Sequence, residues 1–98
     1  MKRKGGRRTL MDIRERLVQQ YGDADLLFAD GFDEAIIGVS LGTRYRTVYD
    51  VRLMVAKLIR EDKMDYASAW EYLDFNTFQA YVGERTPIYV NMEGPVCY

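Results

Sequence analysis

The sequence predicts a single α+β domain in which a small antiparallel sheet, formed by a hairpin plus a C-terminal strand, packs against about three helices. Apolar residues recur at helical spacing in three separate segments, whereas the stretch between the first and the second alternates with a period of two. The 98 residues, 48% of them hydrophobic, suffice for one core. We therefore assign residues 9–91 to a globular domain, 1–8 to a flexible basic arm and 92–98 to an irregular tail.

The first predicted element is an amphipathic helix from Thr9 to Tyr21. Its apolar side consists of Leu10, Ile13, Leu17 and Tyr21. Thr9 and Asp12 are spaced as a capping box, and Gly22 stands where a left-handed residue would end the helix.

An acidic segment from Asp23 to Glu34 follows, with five acids and no basic residue. It predicts a short helical turn and then a loop at Asp30-Gly31. The acids are candidate binding residues, because carboxylates can imitate the phosphates that a basic protein groove recognises. They are Asp23, Asp25, Asp30, Asp33 and Glu34. The alternative is a solvated acidic loop without a ligand.

The segment from Ala35 to Asp50 predicts a β-hairpin that is interrupted at Gly42-Thr43. Basic and aromatic residues interleave on its second strand, a pattern typical of nucleic-acid binding. These candidate residues are Arg44, Tyr45, Arg46 and Tyr49. Cross-strand packing of the tyrosines explains the same pattern without a ligand, and such rings are also common in protein interfaces, including those of homodimers.

Two further helices follow the hairpin. Asp50 is the expected N-cap of a helix that ends near Lys63, and Asp65 is the expected N-cap of the next. The last helix either breaks at Asn76 or runs on to Gly83, continuous or kinked, and we favour the second interpretation.

The C-terminal part supplies the expected core anchors and one strand. The anchors are Trp70, Leu73, Phe78 and Tyr81. Pro87 suits the start of an edge strand that runs from Ile88 to Val90.

The residue types argue against catalysis. The chain contains no His, its single Cys97 stands in the tail, and it has no Gly-rich phosphate loop. Carboxylates are plentiful, but their spacing matches no metal-binding loop. We predict that the protein is not an enzyme and holds neither a cofactor nor a metal.

Charge is distributed unevenly along the chain, whose net charge is −1. Residues 1–8 carry five Lys and Arg, so the other 90 residues combine 9 basic with 15 acidic side chains, a net charge of −6. A pI near 5.4 argues against a general nucleic-acid binder. No apolar run reaches the roughly 18 residues of a membrane span, and none follows the basic start, so we expect a cytoplasmic protein that does not bind membranes.

Four sequence blocks occur in order along the chain. They are DGFDEAIIG at Asp30 to Gly38, VYD at Val48 to Asp50, MDYASAWEYLDFN at Met64 to Asn76, and VGERTPIYV at Val82 to Val90. In these blocks the chain resembles a family of small uncharacterised proteins encoded by bacteriophages and prophages. The resemblance covers residues 25–91 and implies a phage setting without an established activity. Three segments depart from the family pattern: the basic arm, the hairpin from Arg44 to Arg46, and the tail. If this protein has a function that other members of the family lack, we expect it to depend on these segments.

A small acidic phage protein without catalytic groups is expected to act by occupying a surface of a host protein. We predict a protein-interaction module that inhibits a host nucleic-acid-processing or defence complex. The alternative is a nucleic-acid-binding accessory protein that uses the Arg/Tyr hairpin and the basic arm.

Overall fold

In the part of the chain that the structure describes, three helices and a three-stranded mixed sheet form the fold, which confirms the predicted α+β class. The computed structural model describes residues 12–93, apart from the side chain of Asp23. The helices are α1 (Ile13–Gln20), α2 (Val51–Glu61) and α3 (Tyr66–Leu73), and the strands are β1 (Ile36–Ser40), β2 (Arg46–Asp50) and β3 (Ile88–Val90). The predicted basic arm, Thr9 and Cys97 lie outside the described residues.

The sheet has the strand order β1-β2-β3 and mixed directions. The predicted hairpin is confirmed, since β1 and β2 pair antiparallel with Ser40 opposite Arg46. The third strand pairs parallel to β2, with Val48 opposite Ile88, so the expectation of a wholly antiparallel sheet is wrong. The physical reason is the connection: the chain forms α2 and α3 before it returns, and a crossover of that length allows parallel pairing. The predicted edge position of β3 is confirmed.

The first helix begins later than predicted. The Asp12 carboxylate accepts a hydrogen bond from the Glu15 N–H at 2.9 Å, so Asp12 is itself the N-cap rather than the third residue of a helix that starts at Thr9. The helix also ends differently, because Gly22 opens a 3₁₀ turn (Gly22–Ala24) and Asp25 takes the left-handed conformation, with φ of 53°. Asp tolerates this conformation better than most residues, since its short polar side chain bonds locally.

The acidic segment then continues as the predicted loop. Gly31 has φ of 89°, a value that favours glycine, and a second 3₁₀ turn (Asp33–Ala35) leads into β1. This turn ends at Ala35, which is fully buried and fixes the loop to the core.

Helix α2 supplies much of that core. The Asp50 carboxylate caps it by accepting a hydrogen bond from the Arg52 N–H at 2.9 Å, as predicted. Its apolar stripe packs against α3 and β2, and the helix ends at Glu61, two residues before the expected end. Among the described residues, the largest fully buried side chains of the core are Thr47, Tyr49, Met54, Val55, Leu58 and Leu73.

Helix α3 is capped by Asp65, as predicted, and it runs into a π-helical turn (Asp74–Phe78). The favoured continuous or kinked helix is therefore confirmed as far as Phe78, but the helix does not reach Gly83. Asn76 does not break it, since it lies within the π-helical turn, and its side-chain Nδ2 donates to the backbone carbonyl of Tyr72 at 3.0 Å.

The expected core anchors of this region are only partly correct. Leu73 is fully buried, and Trp70 and Phe78 are half-buried against the core. Tyr81 is 76% exposed, so its assignment to the core is wrong. The chain leaves the helical turn before Tyr81, which removes the periodicity on which that assignment depended.

Candidate interaction surface

Tyr49 belongs to the core, and the prediction that it contributes to a binding surface is wrong. Its ring is fully buried, and its hydroxyl accepts a hydrogen bond from the Ala29 N–H at 2.6 Å. Burial raises the pKa of Tyr49 to about 12, because the charged phenolate would lose its hydration. The alternation of tyrosines on β2 therefore reflects packing at this position.

The other three hairpin candidates bond within the chain. The Arg44 guanidinium pairs with the Glu84 carboxylate at 2.6 Å, and the Arg46 guanidinium donates to the Thr86 carbonyl at 2.6 Å. Tyr45 is half-buried and meets the ring of Tyr21 edge-on at 5.6 Å. The two arginine contacts hold the segment before β3 against the hairpin. The contact between the tyrosine rings holds the end of α1 against it.

Three of the five acidic candidates are paired with arginines. Arg14 lies 2.6 Å from Asp33 and 3.1 Å from Asp30, and hydrogen bonding to Asp33 raises the pKa of Arg14 above its ordinary value. Arg60 lies 2.6 Å from Glu34, and this hydrogen bond raises the pKa of Arg60. Much of the negative charge of this segment is thus balanced locally.

The remaining two acids lie at the start of the segment. Asp25 is exposed in its left-handed conformation. Asp23 belongs to the first 3₁₀ turn, and its side chain lies outside the described residues. The structure therefore does not assemble the five predicted acids into one free patch.

An accessible group of aromatic rings lies elsewhere among the described residues, on α3 and the π-helical turn. We call this surface the aromatic face, and it consists of Tyr66, Trp70, Tyr72, Phe75 and Phe78. Leu73 and Thr77 are buried four residues apart on the core side, so Phe75, midway between them, projects to the opposite side and is 71% exposed. An exposed phenylalanine within a cluster of rings is typical of a contact surface.

Phe75 forms a ridge between two open grooves. One groove, of about 390 Å³, is lined by Trp70, Glu71, Asp74, Phe75 and Phe78. The other, of about 340 Å³, is lined by Met64, Ser68, Glu71, Tyr72, Phe75 and Asn76. A third groove, of about 300 Å³, separates Tyr72 and Asn76 from the loop around Phe28 and Asp30. A partner that accommodates Phe75 would therefore also fill grooves on either side of it.

Three rings of the aromatic face, those of Tyr66, Trp70 and Phe78, are connected to the core. Tyr49 and Tyr89 lie 5.6 Å apart between ring centroids, and Tyr89 and Phe78 lie 5.2 Å apart. Trp70 then contacts Phe78 and Tyr66 at 6.3 Å each, in edge-to-face geometry. Such pairs restrict the motion of the Tyr66, Trp70 and Phe78 rings before a partner arrives.

The aromatic face is also acidic. From Met64 to Gly83 the sequence contains Asp65, Glu71 and Asp74 but no Lys and no Arg. The bond from the Ser68 N–H lowers the pKa of Asp65, so this N-cap stays charged over a wider range of pH. Glu71 and Asp74 line the first groove beside Phe75, which gives the surface an aromatic centre with negative charge at its border.

Comparison with protein-family models, with curated proteins and with solved structures finds no match to this chain. Within residues 12–93, no group of three or more acidic or Cys side chains is arranged to hold a metal ion. Over the same range, no helix has the length and apolar character that crossing a membrane requires.

The sequence patterns used for prediction did not identify the aromatic face. Basic and aromatic residues occur together in the hairpin, whereas the aromatic face is marked in the sequence by 20 positions, Met64 to Gly83, that contain six aromatic rings and no Lys or Arg. The outward direction of Phe75 also depends on which side of α3 meets the core, and only the tertiary structure settles that.

Proposed function

We propose that this protein is a small interaction module that binds a partner protein through the aromatic face. The observation that carries the proposal is Phe75, which is 71% exposed on a ridge between two grooves in a stretch without Lys or Arg. Aromatic anchors surrounded by complementary contacts contribute most of the binding energy in many interfaces. Binding, rather than catalysis, is the activity that we assign.

The proposed partner surface is basic. Glu71 and Asp74 border the first groove, so positive side chains opposite them would form ion pairs. Arginine suits this site best, because a guanidinium both pairs with carboxylates and stacks on aromatic rings. The contact between Arg14 and Phe28, with the guanidinium carbon 5.0 Å from the ring centroid, is an example of such stacking within the protein.

We further propose that the partner is a host nucleic-acid-processing or defence protein, met in the host cytoplasm. Such proteins carry basic grooves for nucleic acid, and an acidic protein that occupies the groove would inhibit them. The phage setting is what the resemblance of the sequence blocks implies. These blocks also contribute Asp30, Tyr72, Asn76 and Pro87 to the third groove.

Affinity capture from host lysate with a matched pair of variants tests the proposal. Wild-type protein and the control Val18→Ala, which shortens an exposed apolar residue on α1, should retain the same stoichiometric protein. Phe75→Ala should lose it, with a drop in affinity of about 30-fold for a central anchor. The free energy of unfolding of Phe75→Ala should stay within about 0.5 kcal/mol of the wild-type value, since the ring is mostly exposed.

The salt dependence of the same capture tests the charge of the partner. Glu71→Lys with Asp74→Lys should weaken binding, and added salt should weaken the wild-type complex. An empty capture by the wild-type protein, or equal capture by Phe75→Ala, would contradict the proposal.

Nucleic-acid binding through the hairpin and the basic arm remains the alternative. It has less support, because Arg44 and Arg46 bond to Glu84 and to the carbonyl of Thr86. Retention on heparin or single-stranded DNA that disappears in the double variant Arg44→Ala, Arg46→Ala would favour it. Absence of any retention by the wild-type protein would exclude it.

A further inference from the structure

Helix α3 and the π-helical turn after it carry apolar or aromatic residues on every side, but they contact the core along one row only. Eight of the 13 residues from Tyr66 to Phe78 are Ala, Leu or aromatic. Among these 13 residues, the buried ones are Ala69, Leu73 and Thr77, spaced four residues apart. A surface helix ordinarily confines its apolar residues to the side that faces the core. The outer side of this segment is therefore suited to enclosure by a further protein surface.

The exposed part of the segment has a crest and two flanks. Glu71 and Phe75 are four residues apart and form the crest, since both grooves beside Phe75 also contain Glu71. One flank carries Tyr72, which lines the second and the third groove. The other flank carries Trp70 and Asp74, which line the first groove. The surface is thus convex, with aromatic rings on the crest and on both flanks.

The size of a stable interface requires that a partner cover the flanks as well as the crest. Tyr66, Tyr72 and Phe75 are 52%, 40% and 71% exposed. Since a fully buried aromatic side chain loses about 150–250 Å² of accessible surface, these three rings can bury roughly 250–400 Å². A stable complex buries about 800 Å² on each partner. A flat surface that rests on Phe75 does not reach this area, whereas a cleft that also covers both flanks buries much more of the helix.

We propose that the partner protein encloses α3 and the π-helical turn in a cleft lined by apolar and basic side chains, so that this protein supplies the helix of a helix-in-groove complex. This inference rests on the proposed function and names the kind of surface that the partner presents. The cleft is basic because Asp65, Glu71 and Asp74 lie on the segment and no Lys or Arg occurs from Met64 to Gly83. A second copy of this chain would place acids opposite these acids, and a nucleic acid would place phosphates there.

Substitutions that add bulk to the flanks test the cleft without changing charge. Ser68 lines the second groove beside Tyr72, and Ala67 lies seven residues before Asp74 on the other flank; both are exposed. Ser68→Gln and Ala67→Gln should each weaken capture of the host protein about 10-fold, because a close-fitting cleft has no room for the added atoms. Glutamine is a good helix former, so both variants should fold like wild type. The matched control is Thr43→Gln, which places the same side chain at an exposed position of the hairpin turn and should be captured normally.

Hydroxyl-radical footprinting of the captured complex maps the enclosed surface directly. A cleft should suppress the oxidation of Phe75 on the crest, of Tyr72 on one flank and of Trp70 on the other, all in the same complex. Leu41, which is 64% exposed after β1, should be oxidised as in the free protein. A flat partner surface would protect Phe75 alone.

The outcomes separate this inference from the proposed function. Loss of capture by Phe75→Ala together with normal capture by both glutamine variants, or protection of Phe75 alone, would overturn the cleft and leave the proposed function standing. Equal capture by Phe75→Ala would overturn both. A mass above 11.4 kDa for the free protein that Phe75→Ala reduces to this value would assign the aromatic face to a second copy, and release of the captured protein by nuclease would assign it to nucleic acid. Either of these results would also overturn the cleft.

Discussion

Replacing Tyr49 by Phe tests how the β2 strand is held to the acidic segment. The substitution keeps the buried ring and its contact with Tyr89, but removes the hydroxyl that accepts the Ala29 N–H at 2.6 Å. The Ala29 N–H then loses its acceptor in a partly buried site. A loss of this kind costs about 1–2 kcal/mol of unfolding free energy, so Tyr49→Phe should be destabilised by that amount near pH 8.

The same substitution should change how stability depends on pH. Burial raises the pKa of Tyr49 from 10.0 in the unfolded chain to about 12 in the fold. The folded state therefore binds this proton more tightly, and the corresponding stability is present below pH 10 and lost as pH rises towards 12. At pH 11 the wild-type protein should have lost about 1.4 kcal/mol through Tyr49, a loss that the Phe variant cannot show. The difference between the two proteins should then be close to zero.

Urea unfolding followed by circular dichroism at pH 8 and pH 11 measures both effects. Tyr81→Phe is the matched control, because it removes the hydroxyl of a ring that is 76% exposed and should leave the difference from wild type equal at the two pH values. If wild type and Tyr49→Phe lose the same stability between pH 8 and pH 11, the hydroxyl of Tyr49 is not buried as described and the reasoning is refuted.

Three further substitutions test the fold by chemical denaturation. Asp50→Ala should cost about 1 kcal/mol, because it removes the N-cap of α2, while Asp50→Ser should retain most of that stability; equal losses would contradict the capping role. Leu73→Ala should cost about 2–5 kcal/mol by leaving a cavity under α3, and a loss below 1 kcal/mol would show that this position is not in the core. Gly31→Ala should destabilise the acidic loop by about 1 kcal/mol or more, since φ there is 89°, and a neutral result would contradict the positive φ.

Much of the fold was predictable because its signals are local. Asp50 and Asp65 precede apolar stripes, and both prove to be N-caps. The hairpin is recognisable from its alternation and its glycine. The start of α1 was misplaced because Thr9 and Asp12 are both good capping residues and the sequence does not rank them.

Features that depend on distant parts of the chain could not be predicted in the same way. The parallel direction of β3 is set by how α2 and α3 pack before the chain returns. The burial of Tyr49 depends on the acidic segment that covers it, since Ala29 lies 20 residues away in sequence. The arginine partners of Asp33 and Glu34 are 19 and 26 residues away in sequence. Because of this separation, the sequence does not show that these acids form ion pairs within the chain.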